Sequence, residues 1–518
     1  MHKSTNKLSI SGLSNDEALD LIAQLVDRAS DNADLDLVNH SLSLADELEA
    51  RGLQLSEIAL LDYFRANAWA CRYQQRLGDH SAVWDFEQPE VRQQVFLLRR
   101  AMNSPGFDTM DSIRRCQILT NLANQLDTLG RFVEAHAYWS AALTIDANFW
   151  MARANRGRGL MHYAAALYDP GHTEVFALYA HSDLTQAIEL ISKYPHLGDH
   201  RLISIFSKSS EQIANNYSIK AIGKAHKPDD WNMGSGATER AYRRWCLSNM
   251  LFLNPLNDIE ATSIAARDIM TLPNFITPIN EPPIVVGMFN ELKQGFVSAR
   301  WMLWEGMQAG KPHLSDRKVL LYNTLDYPAY GLSVEKVKVA FRMAYSTLDK
   351  IAYFLNHYLT LGIPEKEVSF RTIWRESDKV KGKGKGAVRD RFAKSENWPF
   401  RGLFWLSNDL FEKDMQDSIE PEAQALAELR NHLEHKYVKV HEMLLPSKSA
   451  GDPFHDTLAY AITRSDLERR TLRLIQLVRA ALIYLSLGMH REEQKRAKDK
   501  EGLTATMPLD PWRDKWKR

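Results

Sequence analysis

The sequence predicts an all-α protein in two parts, a helical-repeat array followed by a four-helix bundle. Three observations predict it. Apolar residues recur at three- and four-residue spacing from about residue 16 to about 220, with Gly or Asp marking the turns. One hairpin in that region places small residues at the offsets of a two-helix repeat of about 34 residues. Four long amphipathic patterns then close the chain.

The hairpin is CQILTNLANQLDTLGRFVEAHAYWSAALTIDANF. Its pattern positions are Leu119, Leu122, Ala123, Leu126, Gly130, Phe132, Ala135, Trp139 and Ala142, and the offsets resemble a tetratricopeptide repeat. Small residues belong there because two helices cross closely only where a side chain is tiny. WMARANRGRGLMHYAAALY follows with Gly157 at the small position of the next repeat, and its second helix, around DLTQAIELISKYP, is expected late, after an insertion of roughly ten residues. The earlier pairs, near 16–50 and 55–103, are degenerate. Arrays of this kind present a long surface to a protein partner or trigger, and a plain helical bundle with one repeat-like hairpin is the alternative.

At AIGKAHKPDDWNMGSGATER, Gly, Pro, Asp and Ser crowd between two helical patterns, so the first boundary falls there. GSGATE lacks the Gly-Lys-Ser/Thr ending of a phosphate loop and reads as linker. Next comes an amphipathic helix in ERAYRRWCLSNMLFLNPLND, expected to end at Asn254-Pro255, and then the proline-rich LPNFITPINEPP. VVGMFNELKQGFVSARWMLWEGMQAG resumes a helix with Phe289, Leu292, Phe296 and Leu303 on one side. The bundle opens with SVEKVKVAFRMAYSTLDKIAYFLNHYLTLG, for which Ser333 is the expected N-cap, and continues with GLFWLSNDLFEKDM, EPEAQALAELRNHLEHKYVKVHEML and SDLERRTLRLIQLVRAALIYLSLGMHREEQ. The predicted organisation is therefore an array over 1–222, linker and accessory helices over 223–332, the bundle over 333–492 and a basic tail over 493–518.

Composition narrows function mainly by exclusion. Of 518 residues, 45% are hydrophobic and 25% charged, the profile of an ordinary soluble protein. Lys plus Arg equals Asp plus Glu at 65 each, so any nucleic-acid footprint must be local. Cys71, Cys116 and Cys246 form no CxxC pair, and no HExxH pair occurs, so neither a metal nor another cofactor is expected. The N-terminus lacks a secretory core, and the apolar run LIQLVRAALIYLSLG carries Arg479 at its middle and is too short to span. A cytoplasmic protein with no membrane anchor is expected.

On the third bundle pattern, steps of about 100° per residue place Leu426, Leu429, Leu433, Tyr437 and Val440 in one core-facing stripe. Asn431 and His435 fall on the far side, one turn apart, with Arg430 about 60° off the stripe. Such a face becomes a pocket only when another surface covers it, and a second copy of the same helix is the economical cover, so a homodimer through the bundle is expected. The i, i+4 spacings of Arg430 with Glu434 and Glu428 with His432 also suit ion pairs on a solvated helix surface.

RNHLEH at 430–435 resembles the R-N-x-x-x-H signature of HEPN-superfamily endoribonucleases, and the surrounding helices resemble a HEPN domain. YRRWCLSNMLFLNPLND, LLYNTLDYPAY, RGLFWLSNDLFE and ELRNHLEHKY resemble bacterial, defence-associated proteins that join a repeat-rich half to such a domain, over about residues 235–492. The resemblance implies metal-independent RNA cleavage in a toxin-like or anti-phage role, with Arg430, Asn431 and His435 catalytic and His432 and Glu434 supporting them. The residue types suit that chemistry. His435 exchanges protons near neutral pH, Arg430 stays charged and grips phosphate oxygens, and Asn431 orients the histidine or the phosphate.

KVKGKGKGAVRDR, with six positive charges against one negative, makes Lys381, Lys383, Lys385 and Arg389 candidate RNA ligands, unless the stretch is simply a solvated loop. Trp512 and Trp516 in the tail suit stacking on bases or docking on the body of the protein. Two other functions fit the helical pattern. One is a non-catalytic scaffold whose bundle only dimerises or binds nucleotide. The other is a nucleotide-transferring bundle, which needs a metal and a carboxylate set that the sequence does not offer.

Overall fold

The computed structural model describes residues 8–78, 83–194, 201–308, 310–376, 386–411, 423–442, 456, 458–499 and 504–517. Among them are eighteen α-helices and one two-stranded sheet, so the all-α class holds. The first half is a succession of antiparallel pairs: α1 (Asn15–Asn32) with α2 (Leu35–Glu49), α3 (Leu55–Arg76) with α4 (Pro89–Asn103), α5 (Ser112–Thr128) with α6 (Phe132–Ile145), and α7 (Trp150–Ala166) with α8 (Pro170–Lys193). Then α9 (Arg201–Asn216) and α10 (Ile219–Ala225) pack back on α8. Local chemistry sets the starts. Ser14 and Glu17 form a capping box on α1, and the carboxylates of Asp34, Asp111 and Asp169 accept amide hydrogen bonds at the starts of α2, α5 and α8.

Small residues do the work the repeat pattern assigns to them. A side chain at Gly157 would meet Leu184, Ala180 and Asp183 of α8, and one at Gly159 would overlap the Trp139 ring of α6. The expected insertion after α7 is absent. Asp169 caps α8 three residues beyond the end of α7 and Pro170 occupies its first turn, so the extra residues lengthen the helix. Asp169 and Pro170 together make a helix start.

The middle of the chain holds α11 (Ala237–Ser248), the single turn α12 (Leu256–Ile259) and α13 (Ile284–Met307). The first of these stops at Ser248, short of the expected Asn254-Pro255, because Met250 takes a left-handed conformation at φ 53°. The second half contains α14 (Leu332–Tyr358), the short α15 (Asp390–Ala393), α16 (Trp398–Phe411), α17 (Ala423–His435) and α18 (Arg464–Lys498), with β1 (Val438–His441) beside β2 (Tyr460–Thr463). Gly331, and not Ser333, is the N-cap of α14, whose first amide is held by the Asp316 carboxylate at 3.1 Å. α13 lies along α14 and α18 with Phe289, Leu292, Phe296 and Leu303 buried, and so packs as a fifth helix of the bundle.

One continuous apolar core runs from Ile10 to Met489. Where array meets bundle, Phe132 is ringed by Tyr163, Trp398 and Tyr484 at centroid distances of 4.4–4.8 Å. Gly130, at φ 85°, packs backbone to backbone against Trp398 and Gly402, where neither glycine leaves room for a side chain. Charge is buried here too. Asp409 of α16 pairs with Arg99 at 3.2 Å and with Arg131, which also holds Glu134 at 2.6 Å. α18 is long and apolar enough to cross a membrane, yet most of its apolar stretch is buried in the protein, and Arg479 is locked to Asp258 at 2.5 Å.

His136 is buried in the array, and burial, helped by nearby Arg156, pushes its pKa down to about 3. The folded protein thus keeps this imidazole neutral while the unfolded chain protonates it near its ordinary value of 6.5, so stability is intact above that pH and falls below it. Urea unfolding is expected to show the parent losing about 2 kcal/mol more than His136→Gln between about pH 7 and pH 5. Equal losses would show that another group dominates.

Candidate functional site

α17 is a short amphipathic helix whose apolar stripe is Leu426, Leu429 and Leu433, all buried against α14 and α16. The stripe stops there, and this corrects the expected extension to Tyr437 and Val440. Lys436 makes the last helical backbone hydrogen bond, to the His432 carbonyl, and the chain turns into β1. Tyr437 is 45% exposed, and Val440 is buried in a parallel ladder that pairs Val438 with Tyr460 and His441 with Thr463. At the centre of the ladder, Lys439 is buried and paired with Asp326 at 2.7 Å and Asp456 at 3.1 Å. Burial pushes the Asp326 carboxyl up, but the hydrogen bonds from Lys439 and Thr324 outweigh it and hold the group below its usual range.

Three sides of α17 therefore have different neighbours. Arg430 and Glu434, one turn apart, face α14. The Arg430 guanidinium lies 5.5 Å over the Tyr345 ring, and Glu434 pairs with Arg342 at 3.6 Å. Arg342 also donates to the Leu433 carbonyl. On the opposite edge, the His432 ring packs against Tyr460 of β2 at 4.9 Å, tilted by 34°, and its Nδ1 sits 2.8 Å from the Glu428 carbonyl. Between the two edges, Asn431 and His435 point outward and are exposed, with Asn431 Oδ1 3.5 Å from Arg430. The His435 side chain makes no hydrogen bond or ion pair among the described residues, so its imidazole is open to solvent. Glu434, whose spacing also suited an ion pair along the helix with Arg430, pairs across to α14. Burial pushes the Tyr345 phenol up to about 12 while Arg430 pulls it down, so beneath the guanidinium lies a neutral ring.

The residues predicted from the motif thus share one helix, with Arg430 turned to the edge and Asn431 and His435 on the open face. Arg342, Tyr345 and the Lys439–Asp326 pair were not visible in the sequence. Arg342 and Leu433 are 91 residues apart, and no local pattern joins them. Of the predicted RNA ligands, Lys381, Lys383 and Lys385 lie outside the described residues. Arg389 spends its guanidinium on the Ile373 carbonyl at 3.0 Å and on Glu376 at 2.8 Å. Among the described residues no group of three or more His, Cys, Asp or Glu is placed to hold a metal ion.

Residues 276–492 match the family model described as LA2681-like HEPN. This segment is a HEPN domain. It begins before α13 and ends within α18, so the fifth helix, the exposed motif face and the small sheet all belong to the matched HEPN unit. HEPN domains are associated with RNA cleavage or nucleotide binding, and they commonly dimerise. Comparisons with curated proteins and with solved structures gave no match.

Proposed function

We propose that this protein is a metal-independent endoribonuclease of the HEPN type, acting in the cytoplasm in a toxin-like or anti-phage role, with the helical array restraining it or sensing its trigger. The observation that carries the reading is the exposed Asn431–His435 face of α17, flanked by Arg430 over Tyr345, inside a matched HEPN domain. Cleavage then draws only on side chains of this protein. The ribose 2'-oxygen attacks the adjacent phosphorus while an imidazole takes its proton. The P–O5' bond breaks and the leaving oxygen receives a proton, which leaves a 2',3'-cyclic phosphate and a 5'-hydroxyl. Arg430 neutralises the charge that builds on the phosphate.

Acid and base are required together, and each chain brings His435 alone to the open face, so two copies would complete the pair. A homodimer is also supported by residues 319–330. Ala329 ties this segment to β1 through the Val440 carbonyl, while Leu320, Tyr322 and Tyr327 are each at least 77% exposed. A run of bare apolar side chains so close to the motif helix suits a protein contact.

The test is incubation of purified protein with total cellular RNA in EDTA, beside His435→Ala, with product ends mapped. Cyclic-phosphate ends from the parent alone support the reading. Equal cutting by both would remove His435 from the chemistry, and cutting that EDTA abolishes would remove the metal-independent mechanism.

A further inference from the structure

α14 and α17 pack antiparallel, and their contacts step along in register. Arg342 meets Leu433 and Glu434, and one turn further along α14 Tyr345 meets Arg430, one turn back on α17. Another turn along, Asp349 accepts the Phe370 amide at 3.0 Å, which brings the 369–372 turn beside this face. Its Arg371 is exposed and acts electrostatically on Tyr345. Arg430 and Arg371 therefore both act on Tyr345, and Arg342 stands one turn before it on α14, against the two carboxylates Glu434 and Asp349.

Arg342 is the least explained of the three. A residue that merely clips a helix end would be enclosed, yet its side chain is 46% exposed. A guanidinium has five N–H donors, and the contacts to the Leu433 carbonyl and Glu434 leave most of them unused. Those two contacts fix its plane at the end of α17 that carries His435, while Arg430 lies one turn away at the other end of the motif. An oriented, half-solvated arginine with spare donors is suited to two-pronged recognition of a phosphate.

We propose that Arg342 is a second phosphate-binding arginine of this site. It grips the sugar–phosphate backbone of single-stranded RNA on the His435 side of the phosphate held by Arg430, and Glu434 orients it. The inference rests on the ribonuclease reading for the identity of the polymer.

The test uses the full-length protein and a fluorescent single-stranded RNA with 2'-fluoro substitution throughout, which lacks the attacking hydroxyl and so reports binding without cutting. Affinity is measured by anisotropy from roughly 50 to 200 mM salt. Arg342→Ala is expected to weaken binding about tenfold at low salt and to reduce the slope of log affinity against log salt by about 0.7, the value for one phosphate contact on a single strand. Arg342→Lys keeps the charge, so it should retain the parent slope with intermediate affinity, and it carries the test if the alanine variant melts. An unchanged slope in Arg342→Ala overturns the proposal, as does a parent that binds the probe without salt dependence. Cleavage of ordinary RNA in EDTA is scored separately. Cutting with an unchanged slope sinks the role of Arg342 alone, and a lost slope without cutting sinks the nuclease reading alone.

Discussion

The His435→Ala protein is expected to cut RNA about 10²–10⁴ times more slowly than the parent, the usual contribution of a positioned acid or base, while unfolding within about 0.5 kcal/mol of it. The two halves of this expectation have one cause. His435 is exposed and its side chain makes no hydrogen bond or ion pair among the described residues, so its removal takes nothing from the fold. Arg430→Ala should also slow cutting, but for a different reason. Its guanidinium covers the Tyr345 ring and touches Asn431, so that variant loses both the phosphate clamp and some order around the motif. Single-turnover cleavage in EDTA, with thermal melts alongside, separates the two. A loss below about threefold in His435→Ala would move proton transfer to another group.

The second large effect is on stability. Asp409→Ala is expected to destabilise the protein by roughly 3–5 kcal/mol. Asp409, Arg99 and Arg131 each have side chains about 1% exposed, so water cannot replace the lost carboxylate. Arg131 keeps Glu134, but Arg99 loses its ion pair across the joint between array and bundle. Asp409→Asn preserves the shape and the accepting oxygen and should cost less than the alanine. Denaturant unfolding followed by circular dichroism measures both, and an alanine cost below about 1 kcal/mol would mean that packing around Phe132 alone holds the halves together.

The repeat hairpin was legible because close helix crossings demand small residues at fixed offsets, and Gly130, Gly157, Ala135 and Ala142 stand at those offsets. The motif face was legible for a related reason, since a period of about 3.6 residues places Asn431 and His435 opposite the leucines. The end of the motif helix was not. Tyr437 and Val440 continue the helical stripe arithmetically, so HKYVKVH satisfies two periodicities at once, and its alternating valines were the signal for a strand. What decides between them is Lys439, buried on two carboxylates, one of which is 113 residues away. The charges at the joint were hidden for the same reason. Arg99 and Asp409 are separated by 310 residues, and each looks locally like a solvated side chain.

The small parallel sheet has a mechanical consequence. β1 leaves the end of α17 that bears His435, and β2 runs directly into α18, the helix whose Arg473 and Tyr484 grip the array through Glu134 and Phe132. Histidine and array thus sit on two arms of one stiff lever, joined by a four-residue ladder. A shift of α18 that carried β2 with it would be passed through the ladder to the end of α17, so a trigger seated on the array would have a short covalent and hydrogen-bonded route to the site.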